Sequence, residues 1–175
     1  MKQRITIEKY NVKWESEFCK LQTLINNVVA GSILSIEHVG STSVKGLASK
    51  PILDIDIVIE DYENFPEVVK KLETVGYYHQ VEWSYEGREA FGRKDAFVPW
   101  SEENVVWMEQ HLYVCDKNSE ELRRHVAFRD YLRAHDDVAV EYGRLKEKLA
   151  RESKNRASYS EGKTAFITNI LGEIN

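Results

Sequence analysis

Two aspartates sit inside the most strand-like stretch of the chain. Ile52-Leu53-Asp54-Ile55-Asp56-Ile57-Val58-Ile59 is otherwise apolar and rich in β-branched residues, with Pro51 before it and Glu60-Asp61 after it. That composition spells a bounded strand, yet aspartate has poor strand propensity, so its double presence needs a reason. Period-two alternation puts Ile52, Asp54, Asp56 and Val58 on one face and Leu53, Ile55, Ile57 and Ile59 on the other. The two carboxylates then point the same way, with Cα atoms roughly 6–7 Å apart. Like charges held there repel unless a cation bridges them or one takes a proton. Mg²⁺ suits the role, because it takes oxygen ligands and keeps places for water and substrate phosphates; Mn²⁺ is the close substitute. Two plainer readings stand beside this one: the polar side of a solvated edge strand, or a carboxylate pair that caps neighbouring backbone N–H groups. Ile52 and Val58, apolar on the same face, weigh against a fully wet surface.

The surrounding pattern is mixed. A short alternating stretch, Ile5-Thr6-Ile7, reads as a strand. Trp14, Phe18, Leu21, Ile25 and Val28 recur at helical spacing, with Gly31 as the stop. Leu34 to Val39 reads as a second strand. Phe65 to Val75 is an amphipathic helix with Pro66 in its first turn and Gly76 at its end. Tyr77 to Trp83, Ala90 to Phe97 and Val105 to Cys115 read as further strands, punctuated by Gly87, Gly92 and Pro99-Trp100-Ser101. All three prolines lie in the first hundred residues. The proline-free back portion reads as three helices: one capped near Asn118-Ser119-Glu120-Glu121, one with Val138, Tyr142, Leu145 and Leu149 on a face, and one opening at Ser158-Tyr159-Ser160-Glu161. The expected class is α/β (α+β). Residues 1–117 form the α/β core and 118–175 form helices packed on it, in a single compact unit.

Upstream of the aspartate strand, Gly40-Ser41 ends a strand, with Asp54 thirteen positions after Ser41. Such a turn exposes backbone N–H groups with little side-chain bulk, an arrangement suited to phosphate, although most glycine–serine pairs are simply turns. The combination Gly40-Ser41, twelve residues, Asp54-Ile55-Asp56 resembles the signature of the polymerase-β-type nucleotidyltransferase superfamily. More closely, Ile36-Glu37-His38-Val39-Gly40-Ser41-Thr42-Ser43-Val44 and Lys50-Pro51-Ile52-Leu53-Asp54-Ile55 resemble the GrpB-like family within it. The likeness runs on through Tyr10, Trp14 and Phe18, Gly76-Tyr77, His111-Leu112-Tyr113-Val114, Arg124 to Arg133, and Tyr159-Ser160-Glu161-Gly162-Lys163 with Phe166-Ile167.

The resemblance implies a nucleotidyltransferase-like mixed sheet flanked by helices. It implies that Gly40, Ser41 and Thr42 meet phosphate and that Asp54 and Asp56 bind Mg²⁺ or Mn²⁺. A nucleoside triphosphate is then the donor, and a small molecule or macromolecule the acceptor. Two-metal chemistry of this kind also uses a third carboxylate from a neighbouring strand. Here that strand carries His111, Tyr113 and Cys115 on one face, with Tyr113 where the family usually has a second histidine. Glu109 is the nearest acid, about 7 Å further along. His111 is the candidate base or ligand. Three functions follow: nucleotidyl transfer, nucleotide or phosphate binding without catalysis, and metal-dependent phosphate hydrolysis.

Other candidates read both ways. His38 faces the cleft with His111 or is a structural histidine. Lys50, just before the strand, neutralises phosphate or pairs with a carboxylate. Arg88, Arg93 and Lys94 form a solvated hairpin or a lid. Arg129 and Arg133 share a helical face and meet a polyanion or pair with Asp130, Asp136 or Asp137. Lys163 lies in the first turn of its expected helix, where the dipole disfavours a cation. Trp83, Trp100 and Trp107 read as core or interface. With 24 Lys plus Arg against 29 Asp plus Glu, the formal charge is −5, so a long nucleic acid is not an expected partner. No apolar run is long enough to span a membrane. Met1-Lys2-Gln3-Arg4 is not followed by a secretory apolar stretch, and Cys19 and Cys115 are too few for a disulfide scaffold. The expected location is the cytoplasm.

Overall fold

The computed structural model describes residues 5–174; Met1–Arg4 and Asn175 lie outside the described residues. Five strands form one sheet. They are β1 (Ser35–Val39), β2 (Ile52–Ile59), β3 (Tyr77–His79), β4 (Glu89–Arg93) and β5 (Glu109–Asp116), in the order β1-β2-β5-β4-β3. β2 and β5 are parallel, and every other pairing is antiparallel. Five α-helices accompany the sheet: α1 (Lys13–Val29), α2 (Phe65–Glu73), α3 (Glu120–Ala134), α4 (Asp136–Glu152) and α5 (Arg156–Ile174).

The alternation in β2 decides which side of the sheet is core. Leu53, Ile55, Ile57 and Ile59 are buried completely or nearly so, each worth about 2 kcal/mol of apolar burial. They pack with Trp14, Phe18, Leu21 and Ile25 of α1 and Val68 and Leu72 of α2. The opposite face carries Asp54 and Asp56. There Val58 and Cys115 meet Leu122 of α3, so α3 covers the acidic side of the sheet. α4 and α5 close on α3 through Leu132, Tyr142, Phe166 and Ile167, together with Val44 and Leu47 from the loop before β2.

Because β2 lies between β1 and β5, it is not an edge strand, which removes the solvated-edge reading of its aspartates. Ile5-Thr6-Ile7 is not a strand; the nearby pairing is a single bridge from Glu8 to Ser49. Three expected strands are shorter. The Tyr77 stretch ends at His79 and turns into a 3₁₀ segment at Val81–Trp83. The Ala90 stretch ends at Arg93, and the last begins at Glu109 rather than Val105. Apolar content alone extended them past the point where partners end.

The Ser119 side chain caps α3 by accepting from the Leu122 N–H at 3.2 Å, as the sequence suggests. α5 starts earlier than expected. Asn155 and Ser158 bond reciprocally, with Ser158 N–H on Asn155 Oδ1 at 2.9 Å and Asn155 N–H on Ser158 Oγ at 3.3 Å. This capping box lies one turn upstream of the expected one, so Lys163 is not in the first turn and the dipole argument for it lapses. Trp107 is core, whereas Trp100 and Trp83 are exposed at 40% and 65%.

Candidate functional site

The antiparallel pairing of β1 with β2 brings Val39 opposite Asp54, so the chain leaves β1 beside that carboxylate. Gly40 takes φ +69°, and a Cβ there would collide with the Asp54 side chain. Only glycine permits this approach. The chain then enters a 3₁₀ turn, Ser41–Ser43, held by Ser43 Oγ on Gly40 O at 2.5 Å. Ser41 stays on the cavity side with Gly40 and bonds the Tyr142 side chain. Thr42 does not line the cavity; it is buried and shares a 2.9 Å hydrogen bond with His38 Nε2.

The two aspartates share a face of β2, each bonded to a histidine. Asp54 Oδ1 lies 2.9 Å from His111 Nδ1, its register partner's ring on β5. Asp56 has no solvent exposure, and its Oδ2 lies 2.7 Å from His125 Nδ1 on α3. Its Oδ1 is buried with no hydrogen-bond partner. A buried carboxylate oxygen left bare is costly, and a cation or a proton would satisfy it. Burial pushes the Asp56 pKa up, with the His125 contact pulling the other way. For His125 burial lowers the pKa, but the hydrogen bond to Asp56 and the charges of Asp56, Glu121 and Asp54 raise it overall. Among the described residues no three His, Cys, Asp or Glu side chains converge into a ready-made metal cluster. The pair fits a hard cation that draws its other ligands from water and phosphate.

β5 places no acid opposite either aspartate. His111 stands opposite Asp54 and Tyr113 opposite Asp56. Glu109 stands opposite Ile52, is highly exposed, and pairs with Arg93 at 3.1 Å.

A cavity of about 350 Å³ opens onto this face, bordered by Gly40, Ser41, Asp54, Tyr113, Glu121 and Lys163 among others. Arg88, Arg124 and Lys163 border it, and two further lysines lie close to Lys163. Lys163 of α5 lies over the Tyr159 ring at 4.7 Å, and Lys50 lies over the same ring at 4.2 Å. Burial lowers the pKa of both, and for Lys50 the charges of Lys163 and Arg156 add to that; Asp54 acts in the opposite sense. Nearby Lys146 is almost fully buried and donates to Ala48 O at 2.5 Å. Burial and the Lys163 charge bring its pKa down to about 7. Arg88 has its guanidinium 4.4 Å from the centres of both the Tyr85 and Tyr113 rings.

Other sequence candidates lie elsewhere. Arg129 borders a separate hollow of about 680 Å³ along β1, and its guanidinium is committed to Glu37 at 2.8 Å, His38 O at 3.1 Å and Asp130 at 2.8 Å. Arg133 donates twice to Ser43 O. His38 is structural: it stacks on Phe18 at 4.4 Å, and burial, with Asp54 opposing, lowers its pKa to about 4. Sequence reasoning missed His125, Glu121 and Lys146. The legible signal for the first two is an i, i+4 stripe on α3, Glu121-His125-Arg129-Arg133, a polar row on the face that meets the sheet.

Comparison with known proteins agrees with this architecture. Residues 4–173 match the profile of the GrpB protein family. The UPF0157 protein BH1888 of Halalkalibacterium halodurans is 34% identical over 98% of this chain and 83% of its own. Glutamate-rich protein GrpB of Alkalihalophilus pseudofirmus is 29% identical over 99% and 97%. The crystal structure of conserved protein GrpB from Enterococcus faecalis superposes with a TM-score of 0.79 at 29% identity, covering 96% of each chain. The MgGTP-bound Cid1 poly(U) polymerase superposes at 0.58 with 11% identity, over 89% of this chain and 50% of that one, a likeness of fold alone. A profile spanning nearly the whole chain, a 34% relative and a matching solved fold make this chain a member of the GrpB protein family with a nucleotidyltransferase-like fold.

Proposed function

We propose that the protein transfers a nucleotidyl group from a nucleoside triphosphate to an acceptor hydroxyl. The observation that carries this reading is the aspartate pair itself: two carboxylates on one face of an interior strand, Gly40 pressed against one of them, and a buried, unpartnered oxygen on the other. Asp54 and Asp56 would hold Mg²⁺, which when bound neutralises phosphate charge and favours the pyrophosphate leaving group. The Gly40-Ser41 turn, with Lys50 and Lys163, meets the triphosphate, and Lys146 adds positive potential from behind. Thr42 and Arg129 support the turn and α3 rather than touch the nucleotide. In the transfer, the acceptor oxygen bonds to the α-phosphorus while the bond from that phosphorus to the bridging oxygen breaks. Pyrophosphate leaves with the electron pair. The acceptor proton passes to His111: with Nδ1–H directed at Asp54, its Nε2 carries the lone pair that a general base needs.

A second reading, nucleotide binding without transfer, is favoured by one specific observation. The β5 positions opposite Asp54 and Asp56 hold His111 and Tyr113 instead of an acid. A cytoplasmic setting belongs to the proposal, since Cys19 and Cys115 are both free thiols, and no helix among the described residues is long and apolar enough to cross a membrane.

Pyrophosphate release from each nucleoside triphosphate, with Mg²⁺ and a panel of hydroxyl acceptors, tests the first reading. Release that disappears in Asp54→Asn and in Asp56→Asn supports it. Nucleotide binding without release from any of the four selects the second.

A further inference from the structure

We infer that the acceptor is a phosphate monoester with a free hydroxyl, and that Arg88 and Arg124 hold its phosphate. The inference rests on the nucleotidyl-transfer reading above and names the chemistry of the molecule that receives the group.

The strand order lays the cavity out in a line. Gly40 follows β1, Asp54 stands on β2, Tyr113 stands on β5 and Arg88 directly precedes β4. All four border the cavity, and the strands lie side by side as β1-β2-β5-β4. Positive charge gathers at both ends. On the β1 side, Lys146 lies over the Tyr142 ring, whose side chain bonds Ser41, and Lys50 and Lys163 share the Tyr159 ring. That end meets the triphosphate. Arg88 is on the far side of Asp54, two strand spacings or about 10 Å across the sheet. A molecule the size of a sugar phosphate or a nucleoside monophosphate reaches from one to the other.

Arg88 is set for an oxyanion. Its guanidinium lies 4.4 Å from the centres of both the Tyr85 and Tyr113 rings, and its Nη2 donates to Trp83 O at 2.8 Å. These contacts fix its plane, and a fixed fork of N–H groups suits phosphate oxygens. Among the described residues no carboxylate pairs with it. Its Nε is buried and has no hydrogen-bond acceptor, a costly state for a charged donor. Arg124 stands close by: the Tyr85 hydroxyl donates to Glu121 Oε2 at 3.0 Å, and Glu121 Oε1 lies 3.9 Å from Arg124 Nε. Two guanidinium groups share one carboxylate there. The surplus positive charge suits a phosphate monoester, which carries about −1.5 to −2 at neutral pH. A plainer role for Arg88 is to favour the ionised form of Asp56, which its charge does. That role does not involve Arg124, so the second arginine separates the two.

The experiment is calorimetric titration of the full chain, saturated with Mg²⁺ and a non-hydrolysable nucleoside triphosphate. The probes are ribose 5-phosphate and adenosine 5′-monophosphate, with ribose and adenosine as their phosphate-free counterparts. Wild type is compared with Arg88→Gln, Arg124→Gln and Arg123→Gln. Arg123 is the control, since its side chain is 76% exposed and does not border the cavity. Wild type should bind at least one phosphate monoester roughly 10–100-fold more tightly than its counterpart, and Arg88→Gln and Arg124→Gln should each remove most of that margin, the scale of a hydrogen bond to a charged group. Triphosphate affinity should stay at the wild-type value in both, and Arg123→Gln should match wild type throughout. Preference for adenosine 5′-monophosphate over ribose 5-phosphate would assign a nucleotide acceptor, and the reverse a sugar phosphate. Thermal unfolding checks each variant; Arg124→Gln keeps the test valid if Arg88→Gln loosens the 83–88 segment. The inference fails, with nucleotidyl transfer still standing, if neither monoester outbinds its counterpart. It fails likewise if Arg88→Gln weakens only the triphosphate while Arg124→Gln behaves as wild type. If wild type does not bind the triphosphate with Mg²⁺, both readings are overturned.

Discussion

A carboxylate without solvent exposure, as Asp56 is, survives in a fold only where something else bears its charge or a proton removes it. His125 does so on one oxygen, and the other is left bare. The pairing costs stability unless a ligand repays it, and that links the residue to function more firmly than its position in a strand does. His38 shows the opposite case, a buried histidine whose ring bonds Thr42 and stacks on Phe18. Its folded pKa of about 4 lies below the ordinary 6.5, so the unfolded chain binds the proton more readily. Stability from this group is full above about pH 6.5 and is lost as pH falls toward 4. Urea titrations of His38→Gln and wild type across pH 4–7 should show the variant with the flatter acid limb. Equal slopes would mean that His38 is not the group responsible.

At the scale of elements, α3 is the part that converts a sheet into a site. Its stripe Glu121-His125-Arg129-Arg133 lies along the acidic face of the sheet and the 40–43 turn, and each member reaches a different point. Glu121 borders the cavity, His125 holds Asp56, Arg129 ties Glu37 and the His38 carbonyl of β1, and Arg133 holds Ser43 O. The Arg129–Glu37 pair is mostly shielded on the arginine side but partly open at Glu37, which tempers the cost of breaking it. Arg129→Ala should lower unfolding stability by about 2 kcal/mol. In the same variant, weakened Mn²⁺ binding is expected as α3 loosens over Asp56. Denaturant melts and Mn²⁺ titration measure the two effects, and a stability change with no change in metal affinity would detach α3 docking from the site.

For the whole molecule, the sheet and the helices that cover its acidic face supply opposite halves of one cavity. Gly40, Ser41 and Asp54 come from the sheet side, and Glu121, Tyr142 and Lys163 come from α3, α4 and α5. A ligand that bridges both halves binds only the folded assembly. At about 100 times its Kd it should add roughly 2.7 kcal/mol, a rise of about 5–10 °C in Tm for a chain of this size. We expect that rise with Mg²⁺ plus a nucleoside triphosphate, and its loss with chelator or in Lys163→Gln. A shift that chelator leaves untouched would place the nucleotide away from the aspartates.

The sequence alone was sufficient for the aspartate strand, its two faces, the Gly40-Ser41 turn, the buried stripe of α1 and the proline-free helical end. Each of these is a short-range regularity: alternation, helical spacing or a turn residue within a few positions. It also placed Lys50 and Lys163 among the basic candidates. Only the tertiary structure decided that β2 is interior, that Glu109 belongs to Arg93, that Thr42 and His38 serve the core, and that Arg129 is a strut between α3 and β1. It alone brought His125 to Asp56 across 69 residues and buried Lys146 against Ala48 O. The physical reason is that a charge is read by its neighbours. A side chain's partners, burial and proton affinity depend on which elements close over it, and local spacing carries no record of that closure.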